Sequence, residues 1–375
     1  MTTPTRWQRL RALLSNELRH LTTIHASDRP WQLPFAAALA SGLPLLVGAW
    51  FGHLAYGLIA SLGGMIFLYL PDTALPHRML TVMSCAFAIT ASYALGVISH
   101  HFAPGMVVIL ALITTLVTMV SRFYALGQPG SLFFIMAAAI GAYSPSTTAD
   151  LPLKVGLMFL GSLQACVIAF CYSLYSLRHR PPKPAPNLAE KRFEYVVVDS
   201  VFIGGFVGLA TALAQLLHME NAYWVPISCL AVIPGVSLRA VWNKQLHRLL
   251  GTSLGLMLAF AILMLPLTPW TVCLVMISLN FIIETLIVRH YGFATMFITP
   301  ITILLADAAR LGLTPPEILI RARFADTVLG CLVGLAGGYC LHHPRWRATV
   351  SRHLRRWVRT LPGVPHKALP HDPAP

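Results

Sequence analysis

The chain has 375 residues, of which 56% are hydrophobic and 11% are charged, and its mean hydropathy is +0.69. A water-soluble protein of this length would still expose a large surface, and so few charged residues cannot cover it. The composition therefore excludes a set of soluble domains and indicates an integral membrane protein, whose formal charge of +14 serves membrane topology instead of nucleic-acid binding.

A basic arm over residues 1–30 precedes the first apolar run. It holds five arginines and no uninterrupted apolar core, so no signal peptide is expected. Its apolar residues recur at helical spacing, which predicts an amphipathic helix on the membrane surface, with a frayed polar tail as the alternative. These residues are Trp7, Leu10, Leu14, Leu18 and Leu21.

Apolar runs long enough to cross a membrane, which takes about 20 residues, occur six times in each half of the chain. The predicted spans of the first half are 33–51, 54–70, 79–98, 104–121, 124–143 and 153–176. Those of the second half are 196–217, 222–238, 246–265, 269–288, 291–309 and 322–341. The predicted fold is an all-α integral membrane protein with about twelve transmembrane helices, in two six-helix sets over 31–176 and 196–341.

Polar segments separate and follow the two sets. A proline-rich, basic linker over 177–195 lies between them, and a basic amphipathic helix followed by a disordered tail is predicted over 342–375. With the N-terminus in the cytoplasm, twenty-three of the 27 lysines and arginines fall on the cytoplasmic side. This bias predicts that both termini are cytoplasmic.

Six residues of the first set have an identical or chemically similar residue 167 positions later, in the second set. Because each set has six spans, both sets enter the membrane from the same face, which predicts a parallel internal repeat about an axis along the membrane normal. The matched residues are Tyr56 and Tyr223, Ser61 and Ser228, Arg122 and Arg289, Tyr124 and Tyr291, Asp150 and Glu317, and Lys154 and Arg321.

One stretch of the second half carries a family resemblance. Residues 223–255, YWVPISCLAVIPGVSLRAVWNKQLHRLLGTSLG, contain a Tyr-Trp pair and an Arg-x-x-Gly-Thr-x-x-Gly motif that begins at Arg248. Together with Arg323, Asp326 and Gly330, this pattern resembles the fusaric acid resistance family, which is related to aromatic acid exporters. The resemblance implies an exporter of weak organic acids, often aromatic carboxylates, in a bacterial inner membrane. It also implies a fold similar to plant malate channels, in which two six-helix units surround an anion path.

Two arginine–tyrosine pairs are candidates for substrate binding at the cytoplasmic mouth. Arg122 with Tyr124, and Arg289 with Tyr291, each stand where a predicted span begins. A carboxylate in a low-dielectric layer needs a positive partner, and a planar guanidinium binds it through two hydrogen bonds. The tyrosines can stack on an aromatic ring or donate a hydroxyl. The alternative is that all four are ordinary interfacial anchors.

Three further basic residues are candidates for the same path. Lys154 and Arg321 lie on the side with few positive charges, which predicts a basic ring at the exit. Asp150 and Glu317 stand four residues before them, so local ion pairs are the alternative. Arg248 is predicted either as a third charge at the inner mouth or as an anchor at the start of its span.

Three acidic residues inside predicted spans are candidates for proton coupling, because carboxylates within a membrane are costly and commonly functional. Asp307 is followed by Arg310, and Asp326 is preceded by Arg323, each three residues away, so local pairing is the alternative for both. Glu284 has no basic residue three or four positions later and is the preferred candidate.

These patterns predict a proton-coupled exporter of small organic anions, above all aromatic carboxylic acids, with a passive organic-anion channel and a non-transport membrane scaffold as alternatives. The chain has no catalytic motif, so no enzymatic activity is expected. Its seven cysteines lie inside predicted spans without a metal-binding pattern, so no metal, cofactor or disulfide is expected. The predicted partners are the organic anion and the phospholipid membrane, not nucleic acid, and association into a homo-oligomer stays open.

Overall fold

A computed structural model describes residues 26–27, 29–185, 193–235, 237–307 and 315–360. The predicted amphipathic helix of the N-terminal arm and the predicted disordered tail after residue 360 lie outside the described residues. Every regular element in the described ranges is helical. The helices are α1 (Gln32–Trp50), α2 (Leu54–Gly64), α3 (Leu75–His100), α4 (Ala103–Phe123), α5 (Leu132–Tyr143), α6 (Leu151–His179), α7 (Asp199–Leu216), α8 (Trp224–Val232), α9 (Leu238–Leu263), α10 (Pro269–Leu286), α11 (Tyr291–Asp307), α12 (Pro316–His342) and α13 (Pro344–Thr360).

Eight helices of the described chain are long and apolar enough to cross a membrane, namely α1, α3, α4, α6, α7, α9, α10 and α12. The apolar helices α5 and α11 are shorter, as is α2 together with the 3₁₀ turn Met65–Tyr69 that follows it. Helix α8 has only nine residues. The chain is therefore a multi-pass helical membrane protein in which one short helix, α2, α5, α8 or α11, follows each pair of long ones or the first long helix.

Three helices begin at different places from those predicted. Helix α9 starts eight residues before the predicted span. The Ser237 hydroxyl caps it by accepting a hydrogen bond from the Ala240 amide at 3.2 Å. Its first turns are polar, so a hydropathy scan does not include them in the span. Helix α12 starts at Pro316, where a first-turn proline is favoured. Helix α5 starts late, because Ala125 and Gly130 have positive φ angles of 51° and 63° that break the helix.

Helix packing follows one scheme in both halves of the chain. In the first six helices α3 packs on α5 and α6, and α2 packs on α6. In the next six α9 packs on α11 and α12, and α8 packs on α12. The two groups meet where α4 packs on α7 and where α10 packs on α1, so the fourth helix of each group lies against the first helix of the other.

Helices α3 and α5 approach closely at Gly96. A Cβ atom at this position would overlap the backbone carbonyl of Ala138, which cannot rotate away as a side chain would. We therefore expect Gly96→Ala to force the helices apart and to lower the free energy of unfolding by about 1–3 kcal/mol. Denaturation in detergent by increasing dodecyl sulfate measures this loss.

Gly156→Ala in α6 is the matched control, because a Cβ atom there meets nothing within 4 Å. Its added methyl group should leave stability unchanged or raise it by up to about 1 kcal/mol through helix propensity. Equal stability of the two alanine variants would show that the α3–α5 contact is looser than described.

The basic segment after the last span forms helix α13 over Pro344–Thr360. It packs against α12 and against the π-helical turn Glu194–Val198 that leads into α7. Val350 and Leu354 pack against the apolar core, and the Arg355 guanidinium lies 5.3 Å from the centre of the Phe193 ring. The buried face of α13 thus holds this helix to the start of α7.

Candidate functional site

Two buried arginines meet the short helix α8, all nine residues of which are buried. Arg248, from α9, donates a hydrogen bond to the Ser228 hydroxyl at 3.2 Å. Arg323, from α12, stacks its guanidinium 3.7 Å from the centre of the Trp224 ring and donates to the Thr302 hydroxyl of α11 at 3.3 Å. Four helices of the second group therefore build one polar cluster, and we call Arg248, Arg323, Trp224 and Asp326 the arginine site.

The two arginines contact α8 at residues that are about one helical turn apart. Trp224 and Ser228 are four residues apart, which corresponds to about 6 Å of helix rise. Asp326 is fully buried on α12 between Arg323 and Gly330, and Gly330 lies directly against Ser228. Arg323, Asp326 and Gly330 therefore follow one face of α12, the face that packs against α8.

The arginine site carries more positive than negative charge. Arginine stays protonated in proteins, so the arginine site holds two positive guanidiniums and one carboxylate, that of Asp326. The buried acidic residues of the described chain are Asp199, Glu284 and Asp326, and the first two form ion pairs elsewhere. Uncompensated charge in a membrane interior is expensive, so such a cluster favours binding of an anion.

Two buried donors of the arginine site have no hydrogen-bond partner among the described residues. These are Nε of Arg248 and Nε1 of Trp224. Arg248 is only 6% exposed, so water does not satisfy its Nε from the surface. A carboxylate has lone pairs for several donors at once, and charge-assisted hydrogen bonds of this kind are the strong ones.

The position of Arg248 differs from the one predicted. It lies ten residues after Leu238 and deep inside α9, because the helix begins at its Ser237 cap. Arg323 lies seven residues inside α12. Sequence reasoning did not select Arg323 or Trp224 as binding residues, although Arg323 belongs to the sparse set of basic residues that the positive-inside rule does not explain.

Arg122 lies in an ion-pair network at the contact between α4 and α7. It donates to a carboxylate oxygen of Asp199 at 2.8 Å and to the Tyr195 carbonyl at 2.8 Å. Arg347 of α13 approaches the other Asp199 oxygen at 3.1 Å. This network fastens the two groups of helices and α13 together, while the neighbouring Tyr124 is 59% exposed at the end of α4.

The second predicted arginine–tyrosine pair lies at a different junction. Arg289 is exposed in the connection between α10 and α11, and Tyr291 is the partly buried first residue of α11. The ring of Tyr291 lies 6.4 Å from His247, whose ring is 5.1 Å from that of His290. Both histidines went unnoticed in the sequence, since they are 43 positions apart and only the fold brings them together.

The proton-coupling candidates occupy three different environments. Glu284 has a distant partner, because Arg29 approaches its carboxylate at 3.3 Å and links the end of α10 to the chain just before α1. Asp326 belongs to the arginine site. Asp307 ends α11, and its side chain lies outside the described part of the chain.

The two predicted exit residues lie near helix starts. The ammonium group of Lys154 donates to the Ser144 hydroxyl at 3.0 Å and to the Pro145 carbonyl at 2.6 Å, which anchors it to the loop before α6. Asp150 is engaged by the amide and hydroxyl of Thr147 in a capping box. Arg321 is exposed on the second turn of α12.

Fold and site together define a multi-pass α-helical membrane protein with a buried cationic cluster. Residues 209–337 match the model of a family described as fusaric acid resistance protein-like, and this range contains the whole arginine site. The match confirms the resemblance predicted from the sequence motifs. The chain is also 20% identical to the uncharacterized membrane protein YvaC of Bacillus subtilis (strain 168), over 94% of this chain and 78% of that protein. No solved structure matches the chain.

Proposed function

We propose that the protein exports small organic anions, aromatic carboxylic acids in particular, and that the arginine site binds the carboxylate. The observation that carries this proposal is the burial of Arg248 and Arg323 beside a single carboxylate, with the Nε donor of Arg248 unused. The match to a fusaric acid resistance protein-like family over the same residues supports it.

The short helices α2 and α8 support a substrate site at α8. In membrane transporters, short or interrupted helices at equivalent positions of two halves commonly border the substrate site. Helix α2 and helix α8 are each the second of six, and both are shorter than the full-length spans around them. If an organic anion binds against α8, the guanidinium donors would replace the water molecules that its carboxylate loses.

The two groups of six helices form, on this proposal, a parallel repeat whose twelve elements all contribute to crossing the membrane. The shared packing scheme of the two groups supports the repeat. So do the ion pairs at the two junctions, where Arg122 meets Asp199 and Glu284 meets Arg29. Each pair joins the end of a fourth helix to the start of a first helix, with the charges exchanged between the two junctions.

The path that we propose runs from the cytoplasmic ends of the helices, past the arginine site, to the opposite membrane face. Arg289 and Tyr291 would attract the anion at the cytoplasmic mouth, with Tyr124 exposed beside the ion pair of Arg122 and Asp199. Lys154 and Arg321 would lower the barrier at the exit. A bacterial inner membrane, with both termini cytoplasmic, is the location that the lysine and arginine bias supports.

Proton coupling is assigned to Asp326 in this proposal, with Glu284 and Asp307 as further candidates. Asp326 and a substrate carboxylate would compete for the same two guanidiniums, so ionisation of Asp326 and binding of the anion are linked. Protonation of Asp326 increases the net positive charge of the arginine site. Anion binding should therefore tighten as the pH falls.

A thermal-shift panel on the detergent-purified protein tests anion binding. We expect benzoate to raise the melting temperature, whereas benzyl alcohol, which keeps the ring but lacks the charge, should not. A ligand at a hundred times its Kd adds about 2.7 kcal/mol of stability, which such a scan resolves. Identical responses to benzoate and benzyl alcohol would refute an anion site.

Electrical recording in planar bilayers separates a coupled exporter from a passive channel. A channel gives a benzoate current that follows the anion gradient whether or not a pH gradient is present. For the exporter we expect turnover that responds to the pH gradient and that changes when Asp326 is replaced by asparagine. Absence of any benzoate movement would favour the membrane-scaffold function.

A further inference from the structure

Three aromatic rings form a continuous series of contacts that begins at the arginine site. The first is Trp224, which is 1% exposed and has the Arg323 guanidinium 3.7 Å from its ring centre. The ring of Tyr223 is next, with its centre 5.2 Å from that of Trp224. The ring of Tyr143 follows, 6.1 Å from that of Tyr223. We call Trp224, Tyr223 and Tyr143 the aromatic series.

The aromatic series crosses the contact between the two groups of helices. Tyr143 is the last residue of α5 in the first group, Trp224 begins α8 in the second group, and α5 packs on α8. Tyr143 and Tyr223 are both partly exposed. Tyrosines that only anchor a helix present their rings to lipid headgroups, whereas these two rings lie against each other. The series therefore leads from a buried guanidinium to the protein surface between the two groups.

The outer end of the aromatic series lies beside a positive charge. Ser144 and Pro145 directly follow Tyr143 in the chain. The ammonium group of Lys154 donates to the Ser144 hydroxyl at 3.0 Å and to the Pro145 carbonyl at 2.6 Å. A guanidinium thus stands at the buried end of the series and an ammonium group close to the other end. This arrangement matches the two parts of an aromatic carboxylate, an apolar ring and a negative charge.

The equivalent positions of the first group carry no aromatic series. Gly57 lies 167 positions before Trp224, and a Cβ atom there would come within 2.7 Å of the Pro44 carbonyl oxygen. Gly156 lies 167 positions before Arg323, so no guanidinium is present there either. The aromatic series therefore belongs to the group that holds the arginine site and is not a requirement of the shared helix packing.

The two tyrosines stand too close together for another ring to lie between them. Carbon atoms in contact are about 3.5–4.0 Å apart, so two rings that hold a third one stand about 7–8 Å apart. The ring centres of Tyr143 and Tyr223 are 6.1 Å apart, so a widening of about 1–2 Å would admit a ring. Because the tyrosines belong to different groups of helices, a small displacement of one group against the other is enough.

We propose that the aromatic series conducts the ring of an aromatic carboxylate from the arginine site to the exit face and makes the exporter prefer aromatic over aliphatic acids. Tyr223 and Tyr143 contact the ring in turn, and Lys154 attracts the carboxylate at the outer end. The three aromatic side chains are thus specificity determinants. This inference rests on the transport function proposed above.

Flux of radiolabelled benzoate and of cyclohexanecarboxylate through reconstituted vesicles tests the aromatic series. The two anions have the same charge and similar size, but only benzoate has an aromatic face. We expect Tyr143→Leu and Tyr223→Leu each to lower the ratio of benzoate flux to cyclohexanecarboxylate flux by about three- to tenfold. Tyr143→Phe keeps the ring and should retain the ratio. The ratio does not depend on how much of a variant is folded, because both fluxes use the same vesicles.

Tyr56→Leu is the matched control, because Tyr56 lies 167 positions before Tyr223 and is 40% exposed. Its ring stacks on His53 and is not part of the aromatic series, so the flux ratio should not change. Unchanged ratios for both leucine variants of the series, an equal fall for Tyr56→Leu, or no preference for benzoate in the unaltered protein would overturn this inference alone. Flux of neither acid through the unaltered protein would refute the transport function, and this inference with it.

Discussion

Replacing Arg248 with glutamine is expected to weaken benzoate binding by about 10- to 100-fold. The change removes a buried guanidinium whose hydrogen bonds to a carboxylate contribute about 1.5–3 kcal/mol, and each 1.4 kcal/mol is a factor of about ten in Kd. Arg248→Lys should have an intermediate effect, because lysine keeps the charge but lacks the planar fork of donors. Calorimetric titration of the purified variants with benzoate measures the loss.

Two controls separate loss of the anion site from loss of folding. Arg239→Gln changes an exposed arginine nine positions earlier in α9 and should alter the Kd by less than about twofold. Ser228→Ala removes the protein's own hydrogen bond to Arg248 but leaves the charge, so it should retain most of the affinity. If a folded Arg248→Gln variant binds benzoate as the unaltered protein does, the arginine site is not the substrate site.

Asp199→Asn is expected to cause the largest loss of stability, about 3–5 kcal/mol. Removing one partner of a buried ion pair leaves the other charge uncompensated in a low-dielectric environment. Asp199 accepts from Arg122 at 2.8 Å and from Arg347 at 3.1 Å, and its side chain is 8% exposed. Denaturation by dodecyl sulfate should also show early loss of the contact between α13 and α7.

Asp72→Asn provides the matched control for this charge network. Asp72 pairs with Lys183 at 3.3 Å, but both side chains are more than two-thirds exposed, so the loss should be about 0–1 kcal/mol. Adding Arg122→Gln to Asp199→Asn should cost less than the sum of the single changes, because the two residues are coupled. Equal losses for Asp199→Asn and Asp72→Asn would contradict the described junction.

Hydropathy predicted the helical membrane fold well, because crossing a membrane demands long apolar helices that satisfy their own backbone groups. It overestimated α8, predicted over 222–238 but ending at Val232. It also missed the first two turns of α9, where residues such as Arg239 and Lys244 are helical yet too polar to register as a span. Both errors concern the helices that build the arginine site.

The site itself was harder to predict, because spacing reveals only partners that are close in sequence. The sequence predicted Arg122 and Arg289 as binding residues at one mouth but gave no sign that Arg122 binds Asp199, 77 positions away. Glu284 likewise lacks a neighbour in sequence but meets Arg29, 255 positions away. Arg248 was selected from the sequence as an unusual charge, but its burial against α8 follows from tertiary packing.

Flux of radiolabelled benzoate through reconstituted vesicles tests the central claim most directly. It is best measured at mildly alkaline pH, where little neutral acid is present to cross lipid unaided. We predict saturable transport by the unaltered protein and by Arg239→Gln, and flux at the level of protein-free vesicles for Arg248→Gln. Flux through Arg248→Gln vesicles at the unaltered rate, or no flux above protein-free vesicles for any variant, would contradict a carboxylate path through the buried arginines.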